Sequence, residues 1–190
     1  MKIIVTHINP DLDALTAVWL LQRFGGKEYE EAEVKFVPAG QTYENKPVDS
    51  DPDVIHVDTS FGKFDHHQIQ ERSCAARLVY RWLIETDGNL EKDEALGRMV
   101  DVVEAIDFNV ADLRYPDAGH DRYAFLFNER RIMSGWYRKF PGQSDRMTEG
   151  GLFVLDGAYE GLKTKIASEK LFAPAIEFAT KWGKGIGVGT

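Results

Sequence analysis

The period of apolar positions changes several times along this chain, and each change marks an element. Lys2 to Thr6 reads KIIVT, a short β-branched run typical of a buried strand. Pro10 disfavours helix at Asn9 and marks a turn. From Asp13 the spacing becomes helical: Ala14, Leu15, Val18, Trp19, Leu20 and Leu21 form an apolar face, and Gly25-Gly26 ends it. Residues 32–38 (AEVKFVP) read as a second strand, 40–52 as a polar loop with two prolines, and 53–58 (DVIHVD) as a third strand.

Strand, helix, strand, loop, strand predicts an α/β fold with a parallel β-sheet flanked by helices. Ligands of such sheets bind beyond the carboxyl ends of the strands. The first strand ends at His7, and the following loop carries Asp11 and Asp13. The third ends at Asp58, and its loop carries Asp65, His66 and His67. Two strand ends thus direct their polar residues to one edge. Beyond Gln68 the spacing predicts helices over 73–86, 91–108 and 121–140, then around 144–167 and 171–182. The final GIGVGT reads as the start of a strand with nothing to pair with. The expected division is an α/β domain over 1–110 and a helical region over 111–190, serving as a lid or as the start of an incomplete second domain.

Composition narrows the chemistry. The 190 residues are enough for one domain with a sizeable core, and 43% hydrophobic with 28% charged residues is ordinary for a soluble globular protein. A formal charge of -8 argues against long duplex nucleic acid held in a basic groove, because such binding relies on Lys and Arg. A short phosphorylated substrate gripped through metals remains compatible. Cys74 is the single cysteine, so no internal disulfide forms and a reducing cytoplasm is the simplest setting. Neither a signal peptide nor a membrane span is expected. A homo-oligomer stays open.

His7-x3-Asp11-x-Asp13 sets three metal-binding groups around one turn, although Asp11 capping the turn and Asp13 capping the helix would explain the aspartates equally well. In Asp65-His66-His67, adjacent imidazoles point in different directions, so one can ligate a metal while the other faces substrate and the aspartate orients a ring. A polar surface loop is the alternative. Taken together, Asp11, Asp13, Asp58 and Asp107 in one cleft would repel one another strongly, and two divalent cations balance their formal charge.

His-Ile-Asn-Pro-Asp-Leu-Asp-Ala (7–14), the strand-end Asp58 and Asp65-His66-His67-Gln68 resemble the first three motifs of the DHH phosphoesterase superfamily, and residues 73–80 resemble the helix that follows the triplet there. The superfamily includes RecJ-like exonucleases, oligoribonucleases, cyclic-dinucleotide phosphodiesterases, exopolyphosphatases and manganese-dependent pyrophosphatases. The match covers about residues 3–108. It implies two divalent metal ions, Mn²⁺ first and Mg²⁺ or Co²⁺ as alternatives. By that resemblance His7 and Asp11 bind the first ion, Asp13 and His66 the second, and Asp58 bridges both. His67 contacts the scissile phosphate and Asp65 supports the site. Asp107 is the expected fourth-motif ligand, with Asp101 and then Asp112 as alternatives. The implied activity is metal-dependent hydrolysis of phosphodiester bonds in short single-stranded nucleic acid or nucleotides. A pyrophosphatase or polyphosphatase, and a non-catalytic nucleotide-binding module, are the competing readings.

Other residues stand outside this set. Cys74 reads as a small buried helix residue, and the N-terminus of its helix is a candidate phosphate contact. His56 reads as a packed strand residue and His120 as a loop residue. Arg122 to Lys139 interleaves aromatics with arginines, which suits either an amphipathic packing helix or a base-stacking surface. Gly150-Gly151 is present, but the glycine-rich motif with histidine that many superfamily members carry in a second domain is not found.

Overall fold

The computed structural model describes residues 1–108 and 129–187, without the side chains of residues 129–131. Three strands, β1 (Ile3–His7), β2 (Glu33–Val37) and β3 (Val54–His56), form a parallel sheet in the order β2-β1-β3. Ile4 pairs with Val34 and with Ile55, so the β-branched run at the N-terminus is the central strand, as its composition predicts. Alternation along the strands divides the sheet into two faces. Ile4 and Val57 enter the main core with the helices. Val5, Val37 and Val54 form a smaller cluster on the other face, backed by Ile3 and Tyr43. That second face is covered by the 38–53 loop among the described residues, where helices on both sides were expected. His56 is buried there, and its Nε2 accepts the Tyr43 N–H at 3.1 Å.

Helix α1 (Leu12–Phe24) is the hub of the core, with every residue from Leu12 to Leu21 buried. It begins one residue earlier than its apolar spacing indicates, because Asp11 is the N-cap and its Oδ1 accepts from Asp13 N at 3.0 Å and Ala14 N at 3.1 Å. The amide of Gly25 closes the C-terminus on Leu21 O, and a one-turn helix α2 (Lys27–Glu30) leads into β2. Helices α3 (Ala75–Thr86) and α4 (Glu94–Asp107) contribute Val79, Leu83, Leu96 and Val100 to the same core. Of the helix predicted over 121–140, the part from Glu129 to Lys139 is described and is helical (α5).

Helix α6 (Ser144–Phe172) runs for 29 residues, longer than the segment predicted around 144–167. Its N-terminal half joins the core through Leu155 and Tyr159, and the Tyr159 ring packs edge-on against Trp19 and Phe24 of α1. Trp19 Nε1 donates to Asp156 at 2.9 Å, and Arg23 pairs with Asp156 and Glu160. Gly150 and Gly151 have a packing role. A Cβ at Gly150 would run into the Trp136 ring, and one at Gly151 would lie 2.8 Å from Leu15 Cδ1. The pair lets α5, α6 and α1 approach closely.

The helix expected over 171–182 is not formed. Pro174 stops α6, and Ile176–Thr180 (β4) pairs antiparallel with Gly183–Gly187 (β5). Alternation of Ile176, Phe178 and Thr180 favours strand, and the terminal glycine-rich segment therefore does have a partner. No helix among the described residues is long and apolar enough to cross a membrane.

Leu155→Ala tests the packing of α6. Leu155 is 1% exposed, so truncation should cost about 2–5 kcal/mol. Chemical denaturation followed by far-UV circular dichroism should show one transition with a lowered midpoint. A loss confined to a separate, earlier transition would mean that α6 is not part of the main cooperative core.

Candidate metal centre

The carboxyl ends of β1 and β3 lie side by side, and both chains leave their strands through left-handed backbone. Asn9 has φ 58, Asp58 φ 51, Ser60 φ 69 and Phe61 φ 56. Such values are uncommon outside glycine and cluster at sites where the surroundings enforce them. Asn9 N donates to Ser144 Oγ at 3.0 Å, so the start of α6 holds the first loop. The second loop is held by Asp65, a buried residue whose Oδ2 accepts from Phe61 N at 2.7 Å and whose Oδ1 accepts from His67 N at 3.0 Å.

Asp58 occupies the centre. Its Oδ2 is 3.3 Å from His7 Nε2 and its Oδ1 is 3.4 Å from His66 Nε2, so each carboxylate oxygen faces a different imidazole. Among the described residues Oδ1 is buried without a hydrogen-bond partner. His66 Nε2 also lies 3.9 Å from Asp13 Oδ2 and 3.8 Å from Asp107 Oδ2. Two groups of donors emerge, His7 with Asp11 and Asp58, and Asp13 with His66 and Asp107; within each group the donor atoms lie within 4.8 Å of one another. A third such group, Asp58 with His66 and His67, joins the two.

The imidazoles are oriented from behind. His7 Nδ1 lies 3.0 Å from the carbonyl of Ile8, which can only accept, so Nδ1 carries a proton and Nε2 is the nitrogen turned to Asp58. His67 Nδ1 donates to Asp65 Oδ1 at 2.7 Å. Its side chain is 58% exposed, and its remaining nitrogen is left for a partner outside the fold. Asp65 therefore has both oxygens engaged by the loop and by His67.

Asp13 is 2% exposed and reaches across to α3, where its Oδ2 accepts from Ala75 N at 2.7 Å and its Oδ1 from Ala76 N at 2.8 Å. Asp13 thus caps another helix and leaves its own to Asp11. The same bonds occupy the amides at the start of α3, so that helix end does not serve as the phosphate contact anticipated from sequence. Cys74 is the buried N-cap residue of α3, and burial pushes its thiol pKa up.

Among the fourth-motif candidates, Asp107 reaches the cluster. Asp101 faces away and pairs with Arg77 at 2.5 Å. Asp112 and His120 lie outside the described residues, as do Arg122, Tyr123, Phe125 and Phe127. In the described part of that aromatic stretch, Trp136 packs over Gly150, whereas Tyr137 lines a cleft of about 260 Å³ together with Asp11, Asp13 and Asp107. The Tyr137 hydroxyl is buried without a partner. Its place beside the aspartates has no signature in spacing and depends on how α5 crosses α1. A second cleft, of about 710 Å³, is lined by His7, Asp58, His66 and His67 with Phe61 and Phe108. No Lys or Arg lines either cleft among the described residues.

Crowded acids and no basic lining give the site a marked electrostatic imbalance. Burial and the charge of Asp58 raise the pKa values of Asp11 and Asp13, and burial raises that of Asp107. Burial alone would raise Asp58 too, but the contacts with His66 and His7 outweigh it and hold its carboxyl low. Burial opposes protonation of His7, yet Asp58 and the Ile8 carbonyl lift its pKa to about 9. His66 rises to about 9 through Asp58, against its desolvation. Among the described residues Asp58 Oδ1 is a buried atom without a hydrogen-bond partner, and the mixed carboxylate and imidazole groups around it could hold a metal ion.

No family model, curated protein or solved structure matches this chain.

The raised histidines predict a pH dependence of the metal-free protein. A group whose pKa rises on folding adds stability that is complete below its unfolded value and lost as pH climbs through the folded one. For His7 and His66 that window runs from the ordinary value of 6.5 to about 9. Asp13, also raised, removes stability in the same direction as it ionises. Asp58 is depressed, so its contribution is lost only in acid, outside the window. The melting temperature of chelator-treated protein should therefore fall between pH 6.5 and 9. A flat profile there would mean that Asp58 does not share protons with the two histidines.

Proposed function

We propose that this chain is a metal-dependent phosphoesterase of the DHH type, using two divalent ions, Mn²⁺ first, to hydrolyse phosphodiester bonds in short nucleic acids or nucleotides. The observation that carries the reading is Asp58, whose two oxygens face His7 and His66 respectively, with one buried oxygen unpartnered. That is the disposition required of a carboxylate shared between two ions. His7 and Asp11 would hold one ion; Asp13, His66 and Asp107 the other.

When bound, the ions supply positive charge for the phosphate oxygens and lower the pKa of water for in-line attack. The remaining work belongs to the chain. Asp65 accepts from Nδ1 of His67, so Nε2 faces whatever enters the cleft, and in the doubly protonated ring it donates to a non-bridging phosphate oxygen as charge develops there. The Ser144 and Asp65 bonds hold the two strand-end loops, which keeps the donors in place before substrate arrives.

The absence of Lys and Arg from the described lining weighs against a pyrophosphatase or polyphosphatase, whose substrate carries more charge than the ions alone neutralise. The open nitrogen of His67 weighs against a purely binding module. The buried single thiol fits the reducing cytoplasm that goes with this reading.

Two variants separate the roles. Asp58→Ala should abolish uptake of both ions by the folded chain, measured by calorimetric Mn²⁺ titration, and hydrolysis of bis-p-nitrophenyl phosphate with it; full occupancy in the variant would refute the shared ligand. His67→Ala should retain both ions and lose about 10²–10³ in kcat. Unchanged turnover would remove His67 from the chemistry. Metal uptake by wild type near pH 7 should also release protons, because His7 and His66 must shed theirs to ligate.

A further inference from the structure

Phe61 is not explained by packing. Its side chain is 59% exposed, it lines the larger cleft beside His66 and His67, and its backbone sits at φ 56, where bulky L-residues are rare. A surface turn with no other task would place glycine or asparagine there. Instead an apolar ring is held in the open, and the holding is specific: Asp65 Oδ2 accepts the Phe61 amide at 2.7 Å while Asp65 Oδ1 accepts His67 Nδ1 at 2.7 Å. One buried carboxylate therefore fixes both the backbone that carries the exposed ring and the imidazole of His67.

Phe61 shares this cleft with a glycine and a second aromatic ring. Gly40 lines the same cleft at φ 78, and a Cβ added there would sit 3.9 Å from the Phe61 ring. Phe108, 39% exposed, lines this cleft too, and the Arg72 guanidinium lies 5.0 Å from the centre of its ring. The volume of about 710 Å³ falls within the roughly 300–1,000 Å³ usual for sites that enclose small organic ligands.

We propose that Phe61 is a stacking platform for the nucleobase of a substrate whose phosphate lies at His66 and His67. This rests on the phosphoesterase reading and adds to it the residue that selects a base-bearing substrate over a base-free phosphate. Every base offers a π-face to an aromatic ring, so such a platform selects for a base without reading sequence. Phe61 is a specificity residue here; the metal ligands and His67 bind the phosphate whether or not a base is attached.

The test compares adenosine 5′-monophosphate with ribose 5-phosphate, which keeps the phosphate and lacks the base, by calorimetric titration of the full chain loaded with Mn²⁺. Wild type should bind the nucleotide at least about tenfold more tightly, within the range expected of base–aromatic stacking. Phe61→Ala should bring the two affinities within about twofold while leaving ribose 5-phosphate unchanged, and Phe61→Trp should keep the preference. Phe61→Leu retains apolar bulk without a π-face and should lose the preference as Phe61→Ala does, which covers the case of an unfolded alanine variant. With diamagnetic Mg²⁺ in place of Mn²⁺, adenine H2 and H8 should shift upfield on binding to wild type and not to Phe61→Leu. Equal affinities in a wild-type chain that takes up Mn²⁺, or a preference that survives both Phe61→Ala and Phe61→Leu, would overturn the platform alone. A folded wild-type chain that takes up no Mn²⁺ would overturn the phosphoesterase reading and the platform together.

Discussion

The carboxylate of Asp13, buried at the start of α1, accepts both N–H bonds offered by Ala75 and Ala76 at the start of α3, 62 and 63 residues away. The rest of the site depends on that pair of bonds. Free amides at a helix N-terminus are unsatisfied and carry partial positive charge, so a carboxylate there is favoured twice, by hydrogen bonding and by the helix dipole. The bonds lock the loop after β1 to the segment that follows the Asp-His-His triplet. They add to the β1–β3 pairing in setting His7 and Asp11 on one side against His66 on the other. The same interaction makes Asp13 tolerable as a buried acid. Its pKa is raised by burial and by Asp58, and the two amides work against that rise.

Around this tie the structure accepts local costs. Four non-glycine residues adopt left-handed backbone at the two strand ends, acids crowd a cleft with no cation in its described lining, and one carboxylate oxygen is buried without a partner. Elsewhere the chain follows its local preferences: α1 is capped, apolar on its buried positions and closed by glycine. Part of this local conflict gathers at the strand ends, and part lies in the 38–53 loop, where Glu44, Asn45 and Asp49 are also left-handed. Helix α6 contributes to that stability from a distance. Its aromatic and ionic contacts with α1 hold the hub helix, and Ser144 at its start reaches the Asn9 turn of the site itself.

Much of this was legible along the chain because it rests on periods and strand ends. The β-branched run at Ile3–Val5, the helical spacing from Leu12 and the strand ending at Asp58 predict a parallel sheet, and they place His7, Asp11, Asp13, Asp58 and the 65–67 triplet at one edge. Asp107 was one of three aspartates with comparable local context. Spacing alone did not separate it from Asp101, since both lie on α4; the helix's rotation turns Asp107 to His66 and Asp101 to Arg77. The region after residue 170 was misjudged for a similar reason. Short apolar segments fit a helix or a strand, and Pro174 with the pairing of β4 and β5 decided the outcome.

The sequence by itself determined which residue types stand at the strand ends, because hydrophobic periodicity and proline and glycine punctuation act over a few residues. Only the tertiary structure decided which helix each aspartate serves. Asp11 takes the cap of α1, Asp13 crosses to α3, and Asp65 turns its two oxygens to Phe61 and His67. A carboxylate bonds to whichever donors folding brings within about 3 Å, and those donors come from segments far apart in the chain. The exposed ring of Phe61 belongs to the same category: its meaning lies in the cleft it faces, which no stretch of sequence contains.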